Sequence, residues 1–116
     1  RDFTYVTDIV GAILAAVQSE STGKIYNVGS GDTVSVNRLV ELLSGEKVHI
    51  PKRPGEPDFT FADITKIKQE LGWEPQVSIE EGVDEILKNI DYWKDAPVWT
   101  PDSISNATES WFRYLG

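Results

Sequence analysis

The sequence has 116 residues, of which 19 are acidic and 11 are basic, so its formal net charge is −8 at pH 7. It has no cysteine and one histidine, which excludes a disulfide framework, a thiolate nucleophile and histidine-rich metal clusters. The acidic balance disfavours nucleic acid as the main partner. No apolar run approaches the roughly 20 residues that a membrane-spanning helix needs.

The start of the chain is unusual for a complete gene product. The first residue is Arg1, and methionine is absent from the whole sequence. The opening residues also lack a helix cap or a turn and are typical of the middle of a segment. We therefore expect the sequence to be part of a longer protein.

Hydrophobic periodicity predicts five helices in chain order. They cover residues 8–18, 36–43, 64–71 and 79–93, and a last one that begins at Thr100-Pro101. Between them the sequence predicts three or four very short strands, at residues 1–6, 24–28, 47–50 and 59–61. These strands are too short for an independent sheet, so we expect edge pieces or a small layer under the helices.

The apolar faces of the five helices are expected to form one core. Ile9, Ile13 and Val17, for example, recur at intervals of four residues along the first helix. Trp73, Trp93 and Trp111 are expected to be at least partly buried. Trp99, between Pro97 and Pro101, is expected either to be the most exposed tryptophan or to pack against the missing part of the protein.

The turn Gly29-Ser30-Gly31 follows a predicted strand and precedes a helix, as a dinucleotide-binding fingerprint does. That fingerprint would need a third glycine where the chain has Val34. No acidic residue ends a second strand about 20 residues further on. We therefore interpret this segment as a tight turn that brings the backbone close to a neighbour.

The loop of residues 51–58, called here the cationic loop, is a more specific candidate for a binding site. Lys52 and Arg53 place two cations in an otherwise acidic chain, in a segment made rigid by three prolines and one glycine. A guanidinium presents a planar fork to phosphate oxygens, and the carboxylate of Glu56 could accept hydrogen bonds from ribose hydroxyls. A solvated turn is the alternative explanation of the same residues.

Seven short motifs follow one another along the first 82 residues. They are Arg1-Asp2-Phe3-x-Tyr5-Val6-x-Asp8-Ile9, Ile25-Tyr26-Asn27-Val28-Gly29-Ser30-Gly31, Ser35-Val36, Arg53-Pro54-Gly55-Glu56, Ala62-Asp63-x-x-Lys66, Leu71-Gly72-Trp73-x-Pro75 and Ser78-Ile79-Glu80-Glu81-Gly82. In this order they resemble the C-terminal part of extended short-chain dehydrogenases/reductases, the NAD-dependent nucleotide-sugar epimerases and dehydratases of the UDP-glucose 4-epimerase type. The resemblance covers residues 1–93.

This resemblance implies one lobe of a two-part α/β enzyme. In the family, an N-terminal Rossmann domain binds NAD and carries a catalytic Tyr-x-x-x-Lys, and a smaller C-terminal lobe binds the nucleotide sugar. The present sequence has neither the glycine fingerprint nor Tyr-x-x-x-Lys. Residues 1–94 are then expected to be the nucleotide-sugar-binding lobe, whose few short strands complete the absent Rossmann domain. Residues 95–116 are expected to be a C-terminal helical extension.

The same resemblance implies binding roles for four residues. Arg1 and Arg53 match arginines that contact the pyrophosphate of the nucleotide. Glu56 stands where the family usually has an aspartate that contacts the ribose, and Thr60 lies near a position that lines the sugar pocket of the 4-epimerases. The resemblance implies no catalytic, cofactor-binding or metal-binding residue within this sequence.

The expected function is that of the substrate-binding lobe of an NAD-dependent nucleotide-sugar 4-epimerase, which acts through a 4-keto intermediate, with the chain inactive by itself. A nucleotide-sugar 4,6-dehydratase is the alternative within the family. A non-enzymatic binding or regulatory protein that reuses the fold is the alternative from another class. We further expect a cytoplasmic homodimer, with a nucleotide-diphosphate sugar as its ligand, NAD held by the absent domain, and no nucleic acid or membrane as partner.

Overall fold

The computed structural model describes all 116 residues and contains five α-helices, one short 3₁₀ helix and no β-strand. The elements are α1 (Val6–Gln18), α2 (Val36–Leu42), α3 (Thr65–Leu71), α4 (Ile79–Lys88), the 3₁₀ helix (Ile90–Trp93) and α5 (Pro101–Leu115). The prediction of five helices is confirmed. None of these helices combines the length and the apolar character that crossing a membrane requires.

The predicted short strands are wrong for this chain. A strand exists only where a neighbouring segment pairs with its backbone N–H and C=O groups. Arg1 and Val34 make one such reciprocal pair, with N–O distances of 2.8 and 2.9 Å. This pair does not extend into a ladder, so residues 1–5 remain irregular, as do the segments around 24–28, 47–50 and 59–61.

Local capping residues explain where three of the helices begin. The Ser35 hydroxyl accepts a hydrogen bond from the backbone N–H of Arg38 and starts α2. Ser78 and Glu81 form a reciprocal capping box at the start of α4. Thr100 caps α5, where a proline occupies the first turn.

The fourth predicted helix is shorter than its apolar periodicity suggests. It ends at Lys88, and a 3₁₀ helix follows instead of further α-helix. The side-chain amide of Asn89 donates to the carbonyl oxygen of Glu85 at 2.9 Å. This local bond competes with the regular backbone pattern and marks the change in helix type.

The core is small and lies where α1 meets α3 and the segment after it. Ala12, Ile67 and Trp73 are buried together, and partly buried apolar side chains surround them. Across the chain only seven residues are buried, so the expectation of one core shared by all five helices is wrong. The apolar residues Ile13 and Val17 of α1, for instance, remain exposed.

The four tryptophans differ widely in exposure. Trp73 is 8% exposed, as expected of a core residue. Trp93 is 57% exposed, which contradicts its predicted burial, because the chain has already left the regular turns of α4 at this point. Trp111 is 40% exposed, and Trp99 is the most exposed of the four at 64%.

Candidate functional site

The carboxylate of Asp2 holds together three chain segments that are distant in the sequence. It accepts hydrogen bonds from the backbone N–H and the hydroxyl of Ser30, both at 2.7 Å, from the N–H of Ala62 at 3.1 Å and from the hydroxyl of Thr4 at 3.3 Å. Partial burial raises the pKa of Asp2, but these hydrogen bonds outweigh it and hold the pKa below its ordinary value. We call this arrangement the Asp2 junction.

Gly29 lies directly against the Asp2 junction. A Cβ at this position would press on the Asp2 carboxylate and would lie 2.6 Å from the Cβ of Ala62, closer than real Cβ atoms approach. Gly31 has a positive φ of 76°, which favours glycine. These contacts agree with the interpretation of Gly29-Ser30-Gly31 as a tight turn with a close backbone approach.

Arg1, Arg53 and Glu56 meet in one cluster, which we call the Arg1–Glu56–Arg53 cluster. Nη2 of Arg1 lies 3.1 Å from Oε1 of Glu56. Arg53 approaches the same carboxylate with two donors, Nε at 3.1 Å from Oε2 and Nη2 at 3.0 Å from Oε1. Three of the four residues expected at the site therefore lie together, although residues 1 and 56 are far apart in the chain.

The two arginines favour the ionised form of the Glu56 carboxyl. Hydrogen bonds from Arg53, then from Arg1, together with the positive charges of both guanidiniums, lower the pKa of Glu56. One carboxylate thus faces two guanidiniums, and the cluster has an excess of positive charge in a chain whose net charge is −8. Such an excess suits an anionic ligand.

The surroundings of the cluster fix Arg1 and leave an opening beside it. The guanidinium of Arg1 also donates from Nη1 to the carbonyl oxygen of Pro57. A cavity of about 260 Å³ lies between the cationic loop and the start of α2, and Arg1, Lys52, Glu56 and Ser35 contribute to its wall. Arg1 and Glu56 therefore border an accessible space, while Arg53 lines a separate cavity between the cationic loop and α5.

Thr60 lies next to the cluster without joining it. Its hydroxyl accepts a hydrogen bond of 3.4 Å from the backbone N–H of Asp2, the residue that follows Arg1. The structure thus brings Thr60 to the segment that carries Arg1, while its contact with Arg53 and Glu56 is only indirect.

Two residues beside the site have structural roles that sequence reasoning missed. Asp2 belongs to the first motif, but nothing in the sequence reveals the partners that its carboxylate bonds. Trp111 donates from Nε1 to the carbonyl oxygen of Pro54 at 2.7 Å, and its ring lies 5.2 Å from Cζ of Arg53. Its helical periodicity predicts an inward face, but the periodicity does not identify the loop that this face contacts.

Comparisons with known proteins agree with the motif pattern. The family model described as GDP-mannose 4,6 dehydratase matches residues 1–86. The UDP-glucose 4-epimerase of Corynebacterium glutamicum is 38% identical over an 84-residue alignment that covers 66% of this chain and 26% of that protein. The dTDP-glucose 4,6-dehydratase of Escherichia coli is 30% identical over an alignment that covers 97% of this chain and 34% of that protein.

The fold is also similar to that of a solved structure of another relative. The UDP-glucose 4-epimerase of Thermotoga maritima, crystallised with UDP-glucose, is 37% identical and superposes with a TM-score of 0.73. The match covers 79% of this chain and 31% of that one. The chain thus spans about a quarter to a third of the length of these relatives. It belongs to the extended short-chain dehydrogenase/reductase family of nucleotide-sugar epimerases and dehydratases.

Proposed function

We propose that this chain is the nucleotide-sugar-binding lobe of an NAD-dependent 4-epimerase and that Arg1 and Arg53 bind the diphosphate of the substrate. The observation that carries the proposal is the convergence of both guanidiniums on Glu56, which together with Arg1 lines an open cavity. Relatives named as 4-epimerases, one of them crystallised with UDP-glucose, support the substrate class.

The free hydrogen-bond donors of the cluster suit a diphosphate. Each guanidinium has five N–H donors, and the contacts described above engage only two of them on each arginine. Donors therefore remain for phosphate oxygens while Glu56 keeps the two side chains side by side. The cavity is smaller than the roughly 300–1,000 Å³ of complete ligand sites, so it suits one part of a nucleotide sugar and not the whole molecule.

Glu56 and Thr60 complete the proposed site. An ionised carboxylate is purely an acceptor, so Glu56 can accept a ribose hydroxyl at an oxygen that the arginines leave partly free. Thr60 then faces the sugar end of the substrate. Anchoring the substrate far from its reacting carbon uses binding energy to orient the reacting groups.

In our proposal the turn Gly29-Ser30-Gly31 is not a phosphate-binding loop for NAD. The N–H of Ser30, in the turn that most resembles a phosphate-binding loop, already donates to Asp2. Gly29 in the same turn packs against Asp2 and Ala62, so a phosphate cannot approach the turn from that side. In our proposal NAD is held by an N-terminal Rossmann domain, as the family resemblance implies. The same resemblance supports a homodimer and a cytoplasmic location.

A nucleotide-sugar 4,6-dehydratase is the second candidate. The alignment with the dTDP-glucose 4,6-dehydratase of Escherichia coli covers 97% of this chain, including the tail that contains α5. The two candidates share the proposed diphosphate site. Product analysis after incubation with UDP-glucose and dTDP-glucose separates them, because an epimerase returns a 4-epimer and a dehydratase a 4-keto-6-deoxy sugar.

The test of the diphosphate site uses the natural gene product that carries this sequence. Calorimetry with UDP, dTDP and GDP identifies the tightest nucleoside diphosphate. Arg53→Ala is expected to weaken its binding about 10- to 150-fold, as loss of a hydrogen bond to a charged group predicts. Arg113→Ala is the matched control, because this exposed arginine of α5 has a cation–π contact with the neighbouring Tyr114 ring and none with the cationic loop. Equal nucleoside-diphosphate affinity in wild type and Arg53→Ala would contradict the proposal.

A second measurement concerns activity. The isolated 116-residue chain is expected to show no turnover of nucleotide sugars and no binding of NAD, because its sequence has neither Tyr-x-x-x-Lys nor the glycine fingerprint. A spectrophotometric assay with UDP-glucose and dTDP-glucose checks this expectation. Turnover above the blank by the purified chain would show that the catalytic residues lie within it.

A further inference from the structure

Helix α5 lies against the cationic loop, and Trp111 makes the most specific contact between them. Its indole N–H donates to the carbonyl oxygen of Pro54 at 2.7 Å, across 57 positions of sequence. Its ring also lies 5.2 Å from the guanidinium carbon of Arg53. A single side chain thus contacts two consecutive residues of the loop.

Arg53 has two partners, Glu56 and Trp111, which hold its side chain by different interactions. The carboxylate of Glu56 fixes Nε and Nη2 in the plane of the guanidinium. Cζ of Arg53 lies over the ring of Trp111, within the range of about 6 Å for a cation–π contact, so the ring also attracts the guanidinium. Together the two partners limit the rotamers that a long, flexible side chain would otherwise sample.

The hydrogen bond to Pro54 acts on the backbone of the same turn. This turn is closed by a hydrogen bond of 3.3 Å from the N–H of Glu56 to the carbonyl oxygen of Arg53, and Gly55 within it has a φ of 72°. It has no regular secondary structure to fix its position. Anchoring the carbonyl of Pro54 therefore fixes the loop itself relative to α5.

We propose that Trp111 is a positioning residue that holds Arg53 ready for the diphosphate of the substrate. This inference rests on the proposed function, in which Arg53 is a diphosphate contact. When a binding side chain is already held in place, less conformational entropy is lost as the ligand binds. Helix α5 lies beyond the seven motifs. It then contributes to substrate affinity through its contacts with the cationic loop.

The test measures nucleoside-diphosphate affinity by calorimetry in the natural gene product, with the tightest of UDP, dTDP and GDP. Trp111→Ala is expected to weaken binding about 5- to 30-fold, because the cation–π contact and the hydrogen bond are lost together. Trp111→Phe keeps an aromatic face and loses the N–H, so a smaller loss of about 2- to 5-fold is expected. Trp99→Ala, at an exposed tryptophan, is the matched control and should bind like wild type.

The double variant distinguishes positioning from general stabilisation. If Trp111 acts through Arg53, adding Trp111→Ala to Arg53→Ala costs little further affinity, because the two effects are not additive. If Trp111→Ala weakens nucleoside-diphosphate binding as much in the Arg53→Ala variant as it does in wild type, the inference is overturned. NAD affinity should be unchanged in every variant, and its loss in Trp111→Ala and Trp111→Phe would show a general folding defect and likewise overturn it.

The same variants separate failure of this inference from failure of the proposed function. If Arg53→Ala binds the nucleoside diphosphate like wild type, the proposed function fails, and the inference fails with it. If Arg53→Ala weakens binding while Trp111→Ala and Trp111→Phe bind like wild type, only the inference fails.

Discussion

The Asp2 junction and the cationic loop both join distant parts of the chain, but they do so by different means. At the junction one carboxylate accepts four hydrogen bonds, and Gly29 packs so closely that no side chain would fit. In the cationic loop, the joining contacts are a partly exposed ion pair between Glu56 and Arg1 and the cation–π contact between Arg53 and Trp111.

This difference separates structural support from ligand binding. Partly buried, fully bonded groups stabilise a fold because breaking them leaves polar atoms without partners. Exposed ion pairs contribute little to stability, so they can exchange partners when an anionic ligand arrives. We therefore expect substitutions near the core and the Asp2 junction to lower stability, and substitutions in the cationic loop to change binding.

The largest expected stability effect is at the core. Trp73→Ala removes a side chain that is 8% exposed and is expected to lower the free energy of unfolding by about 3–5 kcal/mol. Trp93→Ala is the matched control, because Trp93 is 57% exposed, and it should change the free energy by less than about 1 kcal/mol. Urea unfolding followed by circular dichroism measures both variants. Equal losses would contradict the small core described here.

An intermediate effect is expected at the Asp2 junction. Asp2→Asn replaces one acceptor oxygen by an amide NH₂, which cannot accept, and is expected to cost about 1–2 kcal/mol in unfolding free energy. The pKa of Asp2 is lowered in the folded state, so its stabilisation is complete above the ordinary pKa and is lost as pH falls through the lower folded value. The difference between wild type and variant should thus be largest at neutral pH and should shrink below about pH 4. A difference that is independent of pH would show that the charge of Asp2 is unimportant.

The smallest effect is expected at an ion pair of the cationic loop. Lys52 pairs with Asp58, but both side chains are more than half exposed. Lys52→Ala should therefore leave the midpoint of urea unfolding unchanged within error. A clear shift of this midpoint would remove the contrast between the loop and the Asp2 junction.

Local chemistry allowed much of the helical structure to be predicted from the sequence. Ser35, Ser78 and Thr100 cap their helices with groups only three residues away, so the sequence contains the whole signal. The strands could not be predicted in the same way, because a strand depends on pairing with a distant segment. Apolar periodicity likewise identifies a helix face but not its partner, and Ile13 lies on such a face yet is exposed.

The same distinction applies to the site. Arg53 and Glu56 are three residues apart in a rigid loop, so their pairing is almost local, and their motif was recognisable. Arg1 was identified only through its place in the motif order. The roles of Asp2 and Trp111 depend on contacts across 28 or more positions, which no single-sequence pattern records.

The most direct test of the account is a crystal structure of the natural gene product with the nucleoside diphosphate that binds most tightly. We predict phosphate oxygens about 2.7–2.9 Å from guanidinium nitrogens of Arg1 and Arg53, the usual length of charge-assisted hydrogen bonds. Glu56 should remain beside them, within reach of the ribose. A diphosphate bound elsewhere, with the Arg1–Glu56–Arg53 cluster unchanged and without ligand, would contradict the central claim.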